Sequence, residues 1–311
     1  RADSGLSPQR TCAHRAHIKD VPAPAGGDIF KGVKFIMKNA SIEGTRFKYM
    51  VMMDLRRSIF SIRFLLAIFF FLSWMTMNIA YDLIEYNNLS ESSTVYLLRN
   101  ALDGSNLGPM MLVIATIPFS TMYLYEKDSG FLEEIQKRVG IYTYSISKVI
   151  VTFISDFLVA LISIIVFLAL MTFLGIPHTL HNESLAVYYE EISLSEGVIW
   201  YYSVKITIAG FVCGLAGVFS LFVSSYIANA YAAILSPVIA YYLWNSILNI
   251  VYPLFPANLI WSMVSPYNLF FAQVWLGNSL LSFLWSILLI TLLISLVSIC
   301  FVKKTCTEAI L

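Results

Sequence analysis

The chain has 311 residues, of which 58% are hydrophobic and 13% charged, with a net charge of +1 and a mean hydropathy of +0.74. Soluble domains carry roughly twice that share of charge, so the composition excludes a soluble globular protein and points to a polytopic membrane protein. The four cysteines, Cys12, Cys213, Cys300 and Cys306, are scattered without a C-x-x-C pair, which argues against a disulfide or zinc framework.

Residues 1–40 are rich in Pro, Gly, Ala and basic residues and have no hydrophobic period. They are expected to be disordered or weakly helical, or a leader foreign to the natural protein, with Met37 or Met50 as its start. Gly27-x-x-x-x-Gly32 continues as Val33-Lys34 and follows no strand, so it is not a phosphate-binding P-loop. No other stretch supplies one, and this chain is not expected to bind ATP in that manner. Residues 41–60 alternate Arg46, Lys48, Asp54, Arg56 and Arg57 with Phe47, Met50, Val51, Met53, Leu55, Ile59 and Phe60. That pattern predicts an interfacial amphipathic helix, or a continuation of the first span beyond the membrane.

Residues 61–311 form the membrane domain. Six spans are predicted, at about 62–80, 107–125, 149–174, 199–222, 231–251 and 279–302, each near or above the ~20 residues that cross hydrocarbon. Pro118 is central in the second, where a kink is expected. Basic residues set the topology. Segments 41–63, 126–148 and 303–311 hold eleven Lys or Arg residues, and loops 81–106, 175–198 and 252–278 hold only Arg99. Both ends and the 126–148 loop therefore belong on the cytoplasmic side. The stretch 252–278, cut by Pro253, Pro256 and Pro266, is too apolar for an outer loop and reads as re-entrant or interfacial helices.

Residues 126–148 are the longest charged interruption of the apolar chain. Phe131, Leu132, Ile135 and Val139 recur at the spacing of a short amphipathic helix. Ser129 is placed to act as N-cap, Glu133 and Glu134 to sit near the positive end, Lys137 and Arg138 in the last turn, and Gly140 to end it. A short rod with an apolar face points to a partner. Inside the membrane, Asp156 is expected near the inner interface, or as a paired functional group, and Lys205 to snorkel outward beside Trp200, Tyr201 and Tyr202. Gly210-x-x-x-Gly214 allows close helix approach, chiefly within one subunit. His178-x-x-His181-x-Glu183 lacks the ligands of a good metal site, and no metal is expected.

The pattern of Glu126, Ser129, Gly130, Arg138, Gly140, Ser147 and Lys148 resembles the first cytoplasmic loop of ABC exporter permeases of the type-2 class. The span layout and the 252–278 stretch extend the likeness to about residues 41–311. The resemblance implies an all-α, six-span permease with an N-terminal interfacial helix, a coupling helix and re-entrant helices between spans 5 and 6. It implies docking on a separate ATPase subunit through Glu126, Ser129, Gly130, Phe131, Glu134, Ile135, Arg138 and Gly140, with ATP and Mg bound by that partner. It also implies a second permease subunit, identical or not, and a translocation path between the two. Phe70, Trp74, Met77, Met111, Phe119, Met122, Tyr241 and Trp244 are candidates to line it. The expected setting is the plasma membrane of a bacterium, with lipid as neighbour and no nucleic acid.

Two other readings stay open. An ion-coupled secondary transporter would need several paired acids at midspan, and only Asp156 qualifies. A non-transporting sensor or immunity protein could use the same scaffold. No H-E-x-x-H or G-x-S-x-G motif marks a membrane enzyme. With Glu190→Cys and Glu134→Cys as reporters, the first is expected to react with an impermeant thiol reagent from outside and the second only from inside; the reverse pattern overturns the topology.

Overall fold

The computed structural model describes residues 47–85, 93–103, 109–178, 197–251, 263–270, 276 and 278–308. The leader 1–40 lies outside the described residues, as do His181, Glu183 and most of the stretch expected to be re-entrant. The described residues form helices and no strand. In chain order these include α1 (47–59), α2 (Ile62–Glu85), α3 (Thr94–Asp103), α4 (Met110–Thr116), α5 (Met122–Asp128) and α6 (Phe131–Val139). There follow α7 (Ile141–Phe173), α8 (Val198–Ser224), α9 (Ala230–Val251), α10 (Pro266–Phe270) and α11 (Ser279–Glu308). Five of them, α2, α7, α8, α9 and α11, are long and apolar enough to cross a membrane.

The segment expected as the second span is not one helix. α4 stops at Thr116 and α5 starts at Met122, with a turn between them. Pro118 has no N–H and its ring would strike the carbonyl of Ile114 in a continuous helix. Hydroxyls take up the carbonyls that the break frees: Thr116 Oγ1 donates to Val113 at 2.8 Å, and Ser120 Oγ donates to Thr116.

α7 and α8 are the antiparallel centre. The small residues of α8 meet large side chains of α7: Gly210 faces Phe157, Gly214 faces Phe153, and Gly217 faces Asp156 and Thr152. The Gly-x-x-x-Gly spacing is thus used inside the chain. α9 carries Pro237, which deprives the Ala233 carbonyl of its helical donor. Ser220 of α8 and Ser236 each donate to that carbonyl at 2.7 Å, so the proline is tolerated in an apolar setting.

α3 falls within the 81–106 segment between the first two expected spans. Val95, Leu98 and Leu102 fall on one helical face and are buried with Leu97 and Ala101. Its ends are tied down: Thr94 N–H donates to the Pro177 carbonyl at 3.0 Å, and Asn78 Nδ2 to the Ala101 carbonyl at 2.9 Å.

α7 has 33 residues and α11 has 30. At 1.5 Å per residue they reach about 50 and 45 Å, against ~30 Å of hydrocarbon. Their excess meets at one end, where Ser145 and Thr305 hydroxyls lie 2.7 Å apart. That end also carries α1, α5 and α6.

A methyl on Gly217 would fall on the Asp156 carboxyl. Gly217→Ala is expected to cost about 1–3 kcal/mol by overpacking, read as a lower melting temperature in detergent. Asp156→Ala in the same chain should cancel part of that loss; strictly additive effects would defeat the contact.

Candidate functional site, a buried ion cluster beneath the loop helix

The site is assembled from the bottom of α7. Lys148 lies two turns into that helix and is 1% exposed. A buried ammonium is stable only with compensating partners, and three elements supply them. Glu126 of α5 accepts from Lys148 Nζ at 2.6 Å through Oε1. Asp54 of α1 places Oδ2 at 2.9 Å from Nζ, an ion pair by distance at an angle poor for a hydrogen bond. Tyr144, one turn earlier on α7, donates its hydroxyl to Glu126 Oε2 at 2.6 Å. The Phe119 and Tyr144 rings stand 5.2 and 5.3 Å from Nζ, within the range of cation–π attraction. Arg57 adds a second cation 3.9 Å from Glu126. Two cations thus face two anions, and the cluster is electroneutral as a unit. Burial pushes the Asp54 carboxyl above its ordinary value, and Lys148 opposes that shift.

α1 presents an unexpected face. Met50, Asp54 and Ser58, four residues apart, point inward, whereas Tyr49, Met52, Met53 and Phe60 are exposed. The helix is oriented by Asp54 rather than by its apolar residues.

α6 sits over the cluster. It is bounded by Gly130 (φ 73°) and Gly140 (φ 90°), conformations that favour glycine. The expected N-cap is corrected here: Gly130 occupies that position, and Ser129 ends α5, donating its hydroxyl to the Glu126 carbonyl at 3.2 Å. The apolar face is also reassigned. Leu132, Ile135 and Val139 are partly buried against the apolar cluster to which Tyr123, Tyr144, Val218 and Phe301 belong, so this face is used by the chain itself. Phe131, 59% exposed, Glu134 and Arg138 remain outward. Glu126, expected to contact a partner, is buried in the ion cluster instead.

The C-terminal end of α11 closes the far side. Glu308 accepts from Tyr123 at 3.0 Å and pairs with Lys127 at 3.2 Å and Lys304 at 3.3 Å.

The other sequence candidates are dispersed. Trp74, Met111, Phe119 and Tyr241 are buried, and Phe70 and Met77 are exposed. Tyr241 and Trp244 line an apolar cavity of about 170 Å³ between α8, α9 and α11, while Phe119 and Met122 border a different cavity beside Arg57. Asp156 is fully buried between α7 and α8, with Oδ1 accepting from Ser155 at 3.0 Å. Lys205 is buried beside Tyr201 rather than reaching outward. Both ring nitrogens of His178 meet hydroxyls, of Tyr202 at 3.0 Å and Thr172 at 2.9 Å. Among the described residues no group of three or more His, Cys, Asp or Glu could hold a metal.

Sequence reading singled out Glu126 and Lys148 but missed Asp54, Arg57 and Tyr144 as their partners. The available signal was the run of acidic and basic residues on a helix that otherwise reads as amphipathic.

Lys148→Met leaves two buried carboxylates short of their cation and is expected to cost about 3–5 kcal/mol, measured by thermal unfolding in detergent. The triple variant Lys148→Met, Glu126→Gln, Asp54→Asn should recover part of it. Equal losses in the single and triple variants would mean that the charges do not compensate one another.

Compared with known proteins, the chain matches no family model, no curated protein and no solved structure.

Proposed function

We propose that the chain is the membrane-spanning permease subunit of an ABC-type exporter, driven by a separate ATPase subunit that binds ATP and Mg. In this reading α1 is an interfacial helix, α4 and α5 together make up a broken sixth span, and the Pro-rich 252–278 stretch is re-entrant. Both termini lie in the cytoplasm of a bacterial cell. A second permease subunit completes the translocation path.

The observation that carries the proposal is α6. A free surface loop needs neither a helix of defined orientation nor a rigid base. α6 has its direction set by glycines at both ends, its apolar flank locked to the chain, and an outward edge of Phe131, Glu134 and Arg138. An exposed aromatic flanked by opposite charges suits a protein partner. Beneath it, the Lys148 cluster ties α1, α5 and α7 together, so a force on α6 would reach several membrane helices at once.

Asp156, buried and with Oδ2 unpartnered among the described residues, favours the ion-coupled alternative. A single carboxyl packed against Gly217 offers no second acid to share a cation, which is why we place it second.

Phe131→Ala and Arg138→Glu are expected to lower co-purification with an ATPase subunit by about tenfold or more, as loss of a hot-spot contact of 1.4 kcal/mol or more does, while membrane insertion and melting temperature hold. Transport by the purified chain without any ATPase, or docking indifferent to both substitutions, would sink the proposal.

A further inference from the structure

Beside the ion cluster lies a cavity that shares Arg57 and Phe119 with it. It has a volume of about 320 Å³, opens to the surface, and is lined by the end of α1, the start of α2 and the break between α4 and α5. Arg57 and Arg63 stand on its rim, Ser58 and Ser61 on its wall, and Phe119 and Met122 on its apolar side. The two arginines and Ser58 have donor capacity to spare, whereas the Ser61 hydroxyl already donates to the Ser58 carbonyl at 2.7 Å. Arg63 stacks over the Tyr125 ring at 4.7 Å, and among the described residues no carboxylate lies within ion-pair distance of it. Arg57 has Glu126 at 3.9 Å, but that carboxylate is bound more closely by Lys148 and Tyr144. The Arg57 side chain is 64% exposed and holds Glu126 only at that longer distance.

Ser58 is the second, independent sign. It is 2% exposed, and its hydroxyl has no hydrogen-bond partner among the described residues. A buried hydroxyl without a partner is costly, and this one lies on the wall of a cavity with two guanidinium groups. Ser61 then caps α2, its Oγ accepting from the Phe64 N–H at 3.2 Å. The positive end of a 24-residue helix therefore adjoins the same space.

Two arginine forks, an unpartnered hydroxyl and a helix N-terminus are the donor set of a phosphate site. Its depth narrows the ligand. α2, which is long and apolar enough to cross a membrane, begins at Ile62 on the cavity lining; a bilayer around it would set the cavity near the lipid headgroups, with Phe119 and Met122 beside it to take the start of an acyl chain. We propose that this cavity binds a phosphate-bearing anion, supplied by the headgroup of an anionic phospholipid in the leaflet that α1 borders. The inference depends on the membrane location alone and stands whether or not the chain is a permease.

The test uses the full chain in detergent, with native mass spectrometry of phosphatidylglycerol and phosphatidylcholine retention and, in a parallel arm, melting temperature against inorganic phosphate. Wild type should retain phosphatidylglycerol about tenfold better than phosphatidylcholine, and Arg57→Gln with Arg63→Gln should bring the ratio near one. Arg56→Gln, on the neighbouring exposed position, should keep the preference. If the double variant does not fold, Ser58→Met, which fills the cavity and leaves both charges, must still reduce retention about fivefold or more. Stabilisation of wild type by inorganic phosphate but not of the double variant, without lipid preference, would keep the phosphate site and assign it to a soluble ligand. Equal retention of the two lipids with no phosphate effect, or an unchanged preference in the folded double variant, overturns the proposal.

Discussion

The fold at its basic end depends on one buried cation. Lys148 has almost no contact with solvent, and three helices are arranged so that its charge is met. Removing an ammonium and two carboxylates from water costs several kcal/mol per ion, and mutual attraction repays this only when the geometry is good. Such a cluster is weak as a source of net stability. It is strong as a source of position, because any displacement of α1 or α5 by a few ångströms leaves a charge unpaired in a medium of low dielectric. Arg57 completes the balance from the exposed side, so the cluster carries no net charge as a unit.

That constraint explains why α1 lies as it does. An interfacial helix governed by hydrophobicity would turn Met52, Met53, Tyr49 and Phe60 toward the protein. Here they face outward, and Met50, Asp54 and Ser58 face inward. The electrostatic demand of Lys148 outweighs the burial of those side chains within the protein. An apolar residue loses little by facing hydrocarbon, while an unpaired buried charge loses a great deal.

The long apolar helices were legible because the signal is summed over about twenty residues. α2, α8 and α9 start or end within a few residues of the expected limits. α7 begins at Ile141, well before the expected 149, because Tyr144, Ser145, Ser147 and Lys148 read as loop on hydropathy. They are helical and buried since each polar group finds a partner inside: Ser145 donates to Ile141 at 2.9 Å and Ser147 to Tyr144 at 2.8 Å. The expected second span is interrupted at Pro118, where the sequence signal for a kink could not say whether the helix would bend or stop. α3 had a readable face in Val95, Leu98 and Leu102, hidden by its modest overall apolarity. The pairing of Asp54 with Lys148 was beyond reach, since no local pattern links residues on separate helices.

The apolar flank of α6 decides how a load on that helix would travel. Leu132, Ile135 and Val139 are each partly buried against Tyr123, Tyr144 and Phe301. Full burial of such side chains is worth about 1.5–3 kcal/mol each, so lifting α6 off its bed costs several kcal/mol even at partial burial. A Cβ added at Gly130 or Gly140 would meet nothing within 4 Å, so it is the packing, not crowding at the glycines, that would have to give before α6 could lift. The bed itself belongs to α5, α7 and α11, which the Lys148 and Glu308 pairs bind to one another and to α1. Below that cost, α6 and its bed move as one body, and the glycines serve to aim the helix rather than to let it swing.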